Sequence, residues 1–136
     1  MIDQEYDRPG LTTPARVLAM DGDNAREIVD DLATEEPLEI RLAAGPYVKS
    51  VAVTMRTPGS DFELAAGFLF SEGILTSRAQ LSGISYCIDP EVDTDQRYNI
   101  VNVALTGDAL PQLERLERHF TMSSACGVCG TANIDA

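Results

Sequence analysis

From Pro37 onward the chain alternates Leu38, Ile40 and Leu42 with Glu39 and Arg41, the period of two that marks a strand with one face in a core. Ala44-Gly45-Pro46 supplies a turn, after which Val51, Val53 and Met55 alternate with Ala52, Thr54 and Arg56; strands at 38–42 and 51–55 read as a hairpin. Thr57-Pro58-Gly59 ends the second run. Ser60, followed three residues later by Glu63, has the spacing of a capping box and predicts a helix from Asp61. Phe62, Leu64, Ala65, Phe68 and Leu69 are spaced for one buried face, expected to meet the side of the sheet bearing Val51, Val53 and Met55. Gly73 suits a left-handed C-cap, and Gly67, which costs about 1 kcal/mol against alanine inside a helix, predicts a close approach of two backbones. Ile84, Tyr86 and Ile88, then Val101, Val103 and Leu105, alternate again and give two further strands on either side of the acidic loop from Asp89 to Gln96. Leu110, Leu113, Leu116 and Phe120 fit a last helix with Pro111 in its first turn.

This order of elements defines an α+β domain over residues 35–120, a mostly antiparallel sheet with helices packed on one face, followed by a loop of small residues at 121–136 that is expected to be mobile. Residues 1–34 are patterned differently. Pro9, Gly10, Pro14 and Gly22 lie among scattered acids, with Val17 to Met20 and Ile28-Val29 as short apolar runs, so this stretch reads as an acidic N-terminal arm, mobile or partly docked.

Charge and composition narrow the function. The 136 residues carry 22 Asp and Glu against 10 Lys and Arg, a net charge of −12. Backbone binding to nucleic acid needs clustered cations that release counterions, so DNA and RNA are excluded as direct partners. The longest apolar run, Leu64 to Phe70, is far short of the roughly 20 residues needed to span a bilayer, so no membrane partner is expected. The acidic start has neither the basic region nor the apolar stretch of a signal peptide, which points to the cytoplasm. In that reducing compartment three cysteines, an odd number, suit thiol chemistry or packing better than a disulfide framework.

Ser123-Ser124-Ala125-Cys126-Gly127-Val128-Cys129-Gly130 is the densest chemical signal in the chain. A structural zinc site needs four ligands, and Cys87 and His119 are the residues that could complete one with Cys126 and Cys129. A redox dithiol normally sits at a helix N-terminus, whereas only seven residues follow Cys129 here and Gly127 and Gly130 favour irregular backbone. A sulfur carrier needs what this loop offers: a thiolate on a slim segment that can enter another enzyme's site and attack the outer sulfur of a persulfide. Arg115, Arg118 and His119 lie just upstream, where they either assist the thiolate or face solvent paired with Glu114 and Glu117.

Two stretches carry a family resemblance: Val53 to Leu75, with its Arg56-Thr-Pro-Gly-Ser-Asp-Phe-Glu-Leu-Ala-Ala-Gly-Phe-Leu-Phe70 run, and the later Ser123 to Gly130. Together, in this order and separation, they resemble the FdhD family of formate dehydrogenase accessory sulfur carriers, over about residues 36 to 136. The resemblance implies a sulfurtransferase-type carrier. A cysteine desulfurase would load sulfur on Cys126 as a persulfide, with Cys129 as its partner, for delivery to the bis-guanine-dinucleotide molybdenum cofactor of formate dehydrogenase. That cofactor is a client; no cofactor or metal is expected to reside in these residues themselves. The implied partners are the desulfurase, formate dehydrogenase and the molybdenum cofactor, with a homodimer left open. Family members continue into a second, cytidine-deaminase-like domain, so this chain is expected to be a fragment, and its competence in transfer by itself is left open. The contrasting reading is a zinc-binding or purely structural interaction domain that uses the same thiols.

Overall fold

The computed structural model describes residues 10–111. Two sheets account for its six strands. β1 (Thr12–Asp21) and β2 (Asn24–Ala33) form an antiparallel ribbon. β3 (Glu36–Ala44), β4 (Tyr47–Arg56), β5 (Leu81–Tyr86) and β6 (Ile100–Leu105) form a four-stranded sheet in the order β4-β3-β6-β5. A single α-helix, α1 (Asp61–Ser71), follows β4. Among the described residues this is the α+β arrangement expected. The last helix and the cysteine loop lie outside them, apart from Leu110 and Pro111, which are not helical.

The expected hairpin is β3–β4, closed by Gly45 at φ +55° and Pro46, the first central position of the turn being the one that demands positive φ. Its register shifts between Ile40 and Arg41, so β4 carries one extra residue there. Both flanking pairs are antiparallel, but the central pair, β3 with β6, is parallel: Ile40 lies beside Val101 and Leu42 beside Val103. Single-chain alternation does not distinguish these directions, because either ladder leaves the same residues facing the core.

Residues opposite one another in register share a face. Leu38, Ile40, Leu42, Ala52, Val101 and Val103 are all buried on the side that α1 covers, where Ala65 and Leu69 complete the core with Leu75. Val51 joins this cluster at the shifted register. The expectation that α1 meets Val53 and Met55 is corrected. Val53 lies opposite Glu39 and Met55 opposite Pro37, on the other side of the sheet from Ile40 and Ala52. That second face holds buried Glu39, Val53, Cys87 and Ile100. On it the Arg41 Nε–H donates to Glu39 Oε1 at 2.7 Å. The Glu39 hydrogen bond is the main reason the Arg41 guanidinium is held above its ordinary range, against the opposing effect of burial.

α1 begins at Asp61 as expected, but the Ser60 side chain makes no capping hydrogen bond and no box forms. Its other end follows the sequence closely. Gly73, at φ +74°, donates its N–H to Phe70 O at 3.0 Å while Ile74 N–H reaches Leu69 O at 2.9 Å, the paired bonds of a Schellman stop. Leu64, expected inside, is 39% exposed, and Phe62 and Phe68 are half-buried against the core. Gly67 is exposed, and among the described residues a side-chain carbon there would meet nothing within 4 Å, so the expected backbone approach is absent.

The N-terminal arm, expected to be mobile or partly docked, is the β1–β2 ribbon over its residues 12–33. Asp21 and Asn24 close it around Gly22 at φ +58°. Val17 opposite Ile28 and Arg16 opposite Val29 give it apolar positions on both faces, so no clean alternation advertises it in the sequence. Thr34 fastens its base, donating its N–H to Leu11 O at 2.9 Å while its hydroxyl meets that of Thr13 at 2.7 Å.

Candidate functional site

Arg56, the last residue of β4, opens the longer of the two runs that carry the family resemblance, and it is buried (6% exposed). Its Nε–H donates to Asp61 Oδ1 at 3.0 Å and its Nη2 to Asp61 Oδ2 at 3.1 Å, a two-point pairing of guanidinium with carboxylate. The remaining donors reach Asn99 Oδ1 (3.0 Å), Tyr98 O (2.9 Å) and, at longer range, the carbonyls of Pro37 (3.3 Å) and Glu36 (3.4 Å). All five guanidinium hydrogens therefore have acceptors within the protein.

One side chain thus ties the start of β3, the end of β4, the first residue of α1 and the short 3₁₀ turn Arg97–Asn99 that leads into β6. Asp61 is equally occupied, since Tyr86 at the end of β5 donates its hydroxyl to Asp61 Oδ2 at 2.9 Å. The Tyr86 ring stands between Phe62 (centroids 4.8 Å, 46°) and Tyr98 (5.1 Å, 77°), an aromatic wall that excludes water from the ion pair. No buried side-chain nitrogen or oxygen among the described residues lacks a hydrogen-bond partner.

This saturation defines what the clamp does. A guanidinium with no spare donor binds no substrate anion; it fixes the turn Thr57-Pro58-Gly59-Ser60 by holding both ends. Pro58 is buried, whereas Thr57, Gly59 and Ser60 are exposed, with Gly59 at φ +140° beneath the side chain of Leu11. Asn99 and Tyr98 were invisible as partners of Arg56 because they lie more than forty positions away in the chain. Asp61 stands in the sequence only as the first residue of the expected helix.

Cys126 and Cys129 lie outside the described residues, as do Arg115, Arg118 and His119. Cys87, the third thiol, is buried (4% exposed) just beyond β5, with its N–H on Ile100 O at 3.0 Å. Among the described residues no group of three or more His, Cys, Asp or Glu side chains is placed to hold a metal ion. No helix there is long and apolar enough to cross a membrane. The chain leaves the described region at Pro111, beside a small cavity of about 140 Å³ lined by Ile74, Leu75, Gln80, Leu105, Thr106 and Ala109.

The model of the FdhD/NarQ family matches residues 33–136, and the chain belongs to that family. The match takes in the clamp, α1 and the Cys126–Cys129 segment, and leaves nearly all of the β1–β2 ribbon outside. Among its relatives, a protein from Streptomyces avermitilis named sulfur carrier protein FdhD is 50% identical over 108 residues, covering 79% of this chain and 36% of that protein. One from Mycobacterium tuberculosis with the same name is 41% identical over 128 residues, covering 92% of this chain and 45% of that one. The chain therefore spans less than half the length of these relatives. In three dimensions it resembles a crystal structure described as a formate dehydrogenase accessory protein from Desulfotalea psychrophila, with a TM-score of 0.54 and 20% identity over 76% of this chain and 40% of that one. At that identity the likeness establishes the fold.

Proposed function

We propose that this chain is the sulfur-accepting part of a sulfur carrier that serves the maturation of formate dehydrogenase. The observation that carries this reading is the identity of up to 50% with proteins named sulfur carrier protein FdhD, together with the Cys126-Gly-Val-Cys129 segment inside the family match. The thiolate of Cys126 attacks the outer sulfur of a cysteine desulfurase persulfide. A sulfur–sulfur bond forms at Cys126 as the one in the desulfurase breaks, and the desulfurase cysteine leaves as a thiolate. Cys129 then shares the sulfur, or expels it as sulfide by closing a disulfide with Cys126. The client that takes the sulfur is the bis-guanine-dinucleotide molybdenum cofactor, and the compartment is the cytoplasm, where free thiols persist.

In this scheme the clamp does no chemistry. It holds four elements of the platform from which the cysteine segment departs, and it keeps the turn at 57–60 in one shape on the surface. The test is intact-mass spectrometry after incubation with a cysteine desulfurase and cysteine. The loaded chain gains one sulfur atom and loses it on mild reduction, and Cys126→Ala abolishes the gain. Loading that persists at the wild-type level in Cys126→Ala overturns the assignment.

A further inference from the structure

We infer that β2 is a docking edge for a second copy of this chain, and that two ribbons join through it into one four-stranded antiparallel sheet. The backbone decides which edge is open. Pro14, which has no N–H, lies opposite Asp31, and the Asp31 N–H bonds the neighbouring Asp30 Oδ1 at 2.9 Å instead of a β1 carbonyl. That pair is therefore of the type that exchanges no hydrogen bonds, and the alternation of an antiparallel ladder follows from it. In β2 the N–H and C=O groups of Ala25, Glu27, Val29, Asp31 and Ala33 point away from β1. The outer edge of β1 is blunted by Pro14, whereas that of β2 has neither proline nor glycine and, among the described residues, pairs with nothing.

Charge picks the occupant and the register. Around a two-fold axis at Ile28, Ile28 of one copy faces Ile28 of the other and Arg26 of each faces Asp30 of the other, on the same side of the sheet. Neither charge has an opposite-sign partner across its own ribbon, since Arg26 lies opposite Ala19 and Asp30 opposite Ala15. Shifting the axis to Val29 would set Glu27 against Asp31, a repulsive pair. In the joined state the Asp31 N–H passes from the Asp30 carboxylate to the facing Ala25 carbonyl, which frees Asp30 to meet Arg26. A two-stranded ribbon is marginal in water by itself, and four strands relieve that. Val29, Met20 and Leu18, on the opposite face and 69%, 65% and 61% exposed, then lie on one broad surface with those of the second copy.

Edge pairing buries little compared with the roughly 1,200 Å² of a stable interface, so the association is concentration-dependent. Sedimentation velocity of the full chain across a wide concentration range should show monomer giving way to dimer. Arg26→Asp and Asp30→Arg, each alone, should shift that transition to concentrations at least tenfold higher, and the two together should restore it, because the swapped charges again face each other between copies. Val29→Pro removes one outward N–H while sparing every bond to β1, as Pro14 does, and should leave a folded monomer with an unchanged unfolding midpoint. A chain monomeric at all concentrations, a dimer that survives Val29→Pro, or charge variants without reciprocal rescue would each overturn the inference. None of these outcomes bears on sulfur loading at Cys126.

Discussion

Arg56 and Asp61, five residues apart in the chain, meet through two hydrogen bonds of 3.0 and 3.1 Å in a place where both side chains are buried. A buried ion pair of this kind is held by its partners collectively: the aspartate also accepts from Tyr86, and the guanidinium also serves Asn99 and Tyr98. Removing one member leaves the other charged, buried and short of partners.

Arg56→Ala should therefore destabilise the fold by about 3–5 kcal/mol, read as a shift of the denaturation midpoint. Arg56→Lys should recover only part of that loss, since an ammonium is a point charge and cannot span both Asp61 oxygens and Asn99 together. Tyr86→Phe, which takes away a single donor to a charged acceptor, should cost about 1.5–3 kcal/mol. Wild-type stability in Arg56→Ala would show that the clamp holds nothing.

The burial of α1 sets a graded series. Leu69→Ala removes a fully buried side chain from the core and should cost about 2–5 kcal/mol. Phe68→Ala, at a half-buried site, should cost less than the about 3–5 kcal/mol of a fully buried phenylalanine. Leu64→Ala, on the exposed side, should stay within roughly 0.5 kcal/mol of wild type. Equal midpoints for the three variants would contradict the orientation of the helix.

Three glycines should respond to alanine with different signs. Gly67→Ala enters open space on the described face of α1 and should stabilise by up to about 1 kcal/mol. Gly73→Ala forces a side chain into left-handed backbone, costing about 1–2 kcal/mol. Gly45→Ala should be the worst, because at φ +55° its new carbon would also sit 3.2–3.4 Å from Asp108. Thermal or chemical denaturation of the three variants side by side checks the order.

The thiols should separate by accessibility. Cys87, buried beside the Ile100 backbone, should resist alkylation in the native chain and react once denatured. Cys87→Ala should leave sulfur loading at the wild-type level, in contrast to Cys126→Ala. Rapid labelling of Cys87 under native conditions would contradict its place in the fold.

Much of this architecture is legible in the residues themselves. Leu38, Ile40 and Leu42 announce β3 because one face is buried and the pattern repeats every second residue, and Gly73 announces the end of α1 because only glycine adopts its backbone cheaply. What stayed hidden depends on neighbours distant in the chain. The register shift in β4 puts both Val51 and Ala52 into the core and sends Val53 to the other face, which no count by twos anticipates. The ribbon escaped because apolar side chains on both its faces imitate an unpatterned segment. The Arg56 run stood out by the family resemblance it carries, but that Arg56 serves the platform and no ligand follows only from finding all five of its hydrogens taken.

The parallel contact of β3 with β6 carries a consequence for how the protein is made. As the chain leaves the ribosome, β3 and β4 can pair at once, yet the other edge of β3 waits for residues 100–104, some sixty positions later. Until then Leu38, Ile40 and Leu42 belong to a nascent sheet that is open on the side where the core must close. Strand pairing over such a separation is slow compared with hairpin formation. The newly emerging chain thus passes through an interval of adhesive half-sheet, when a holding chaperone would decide how much of it reaches the native state.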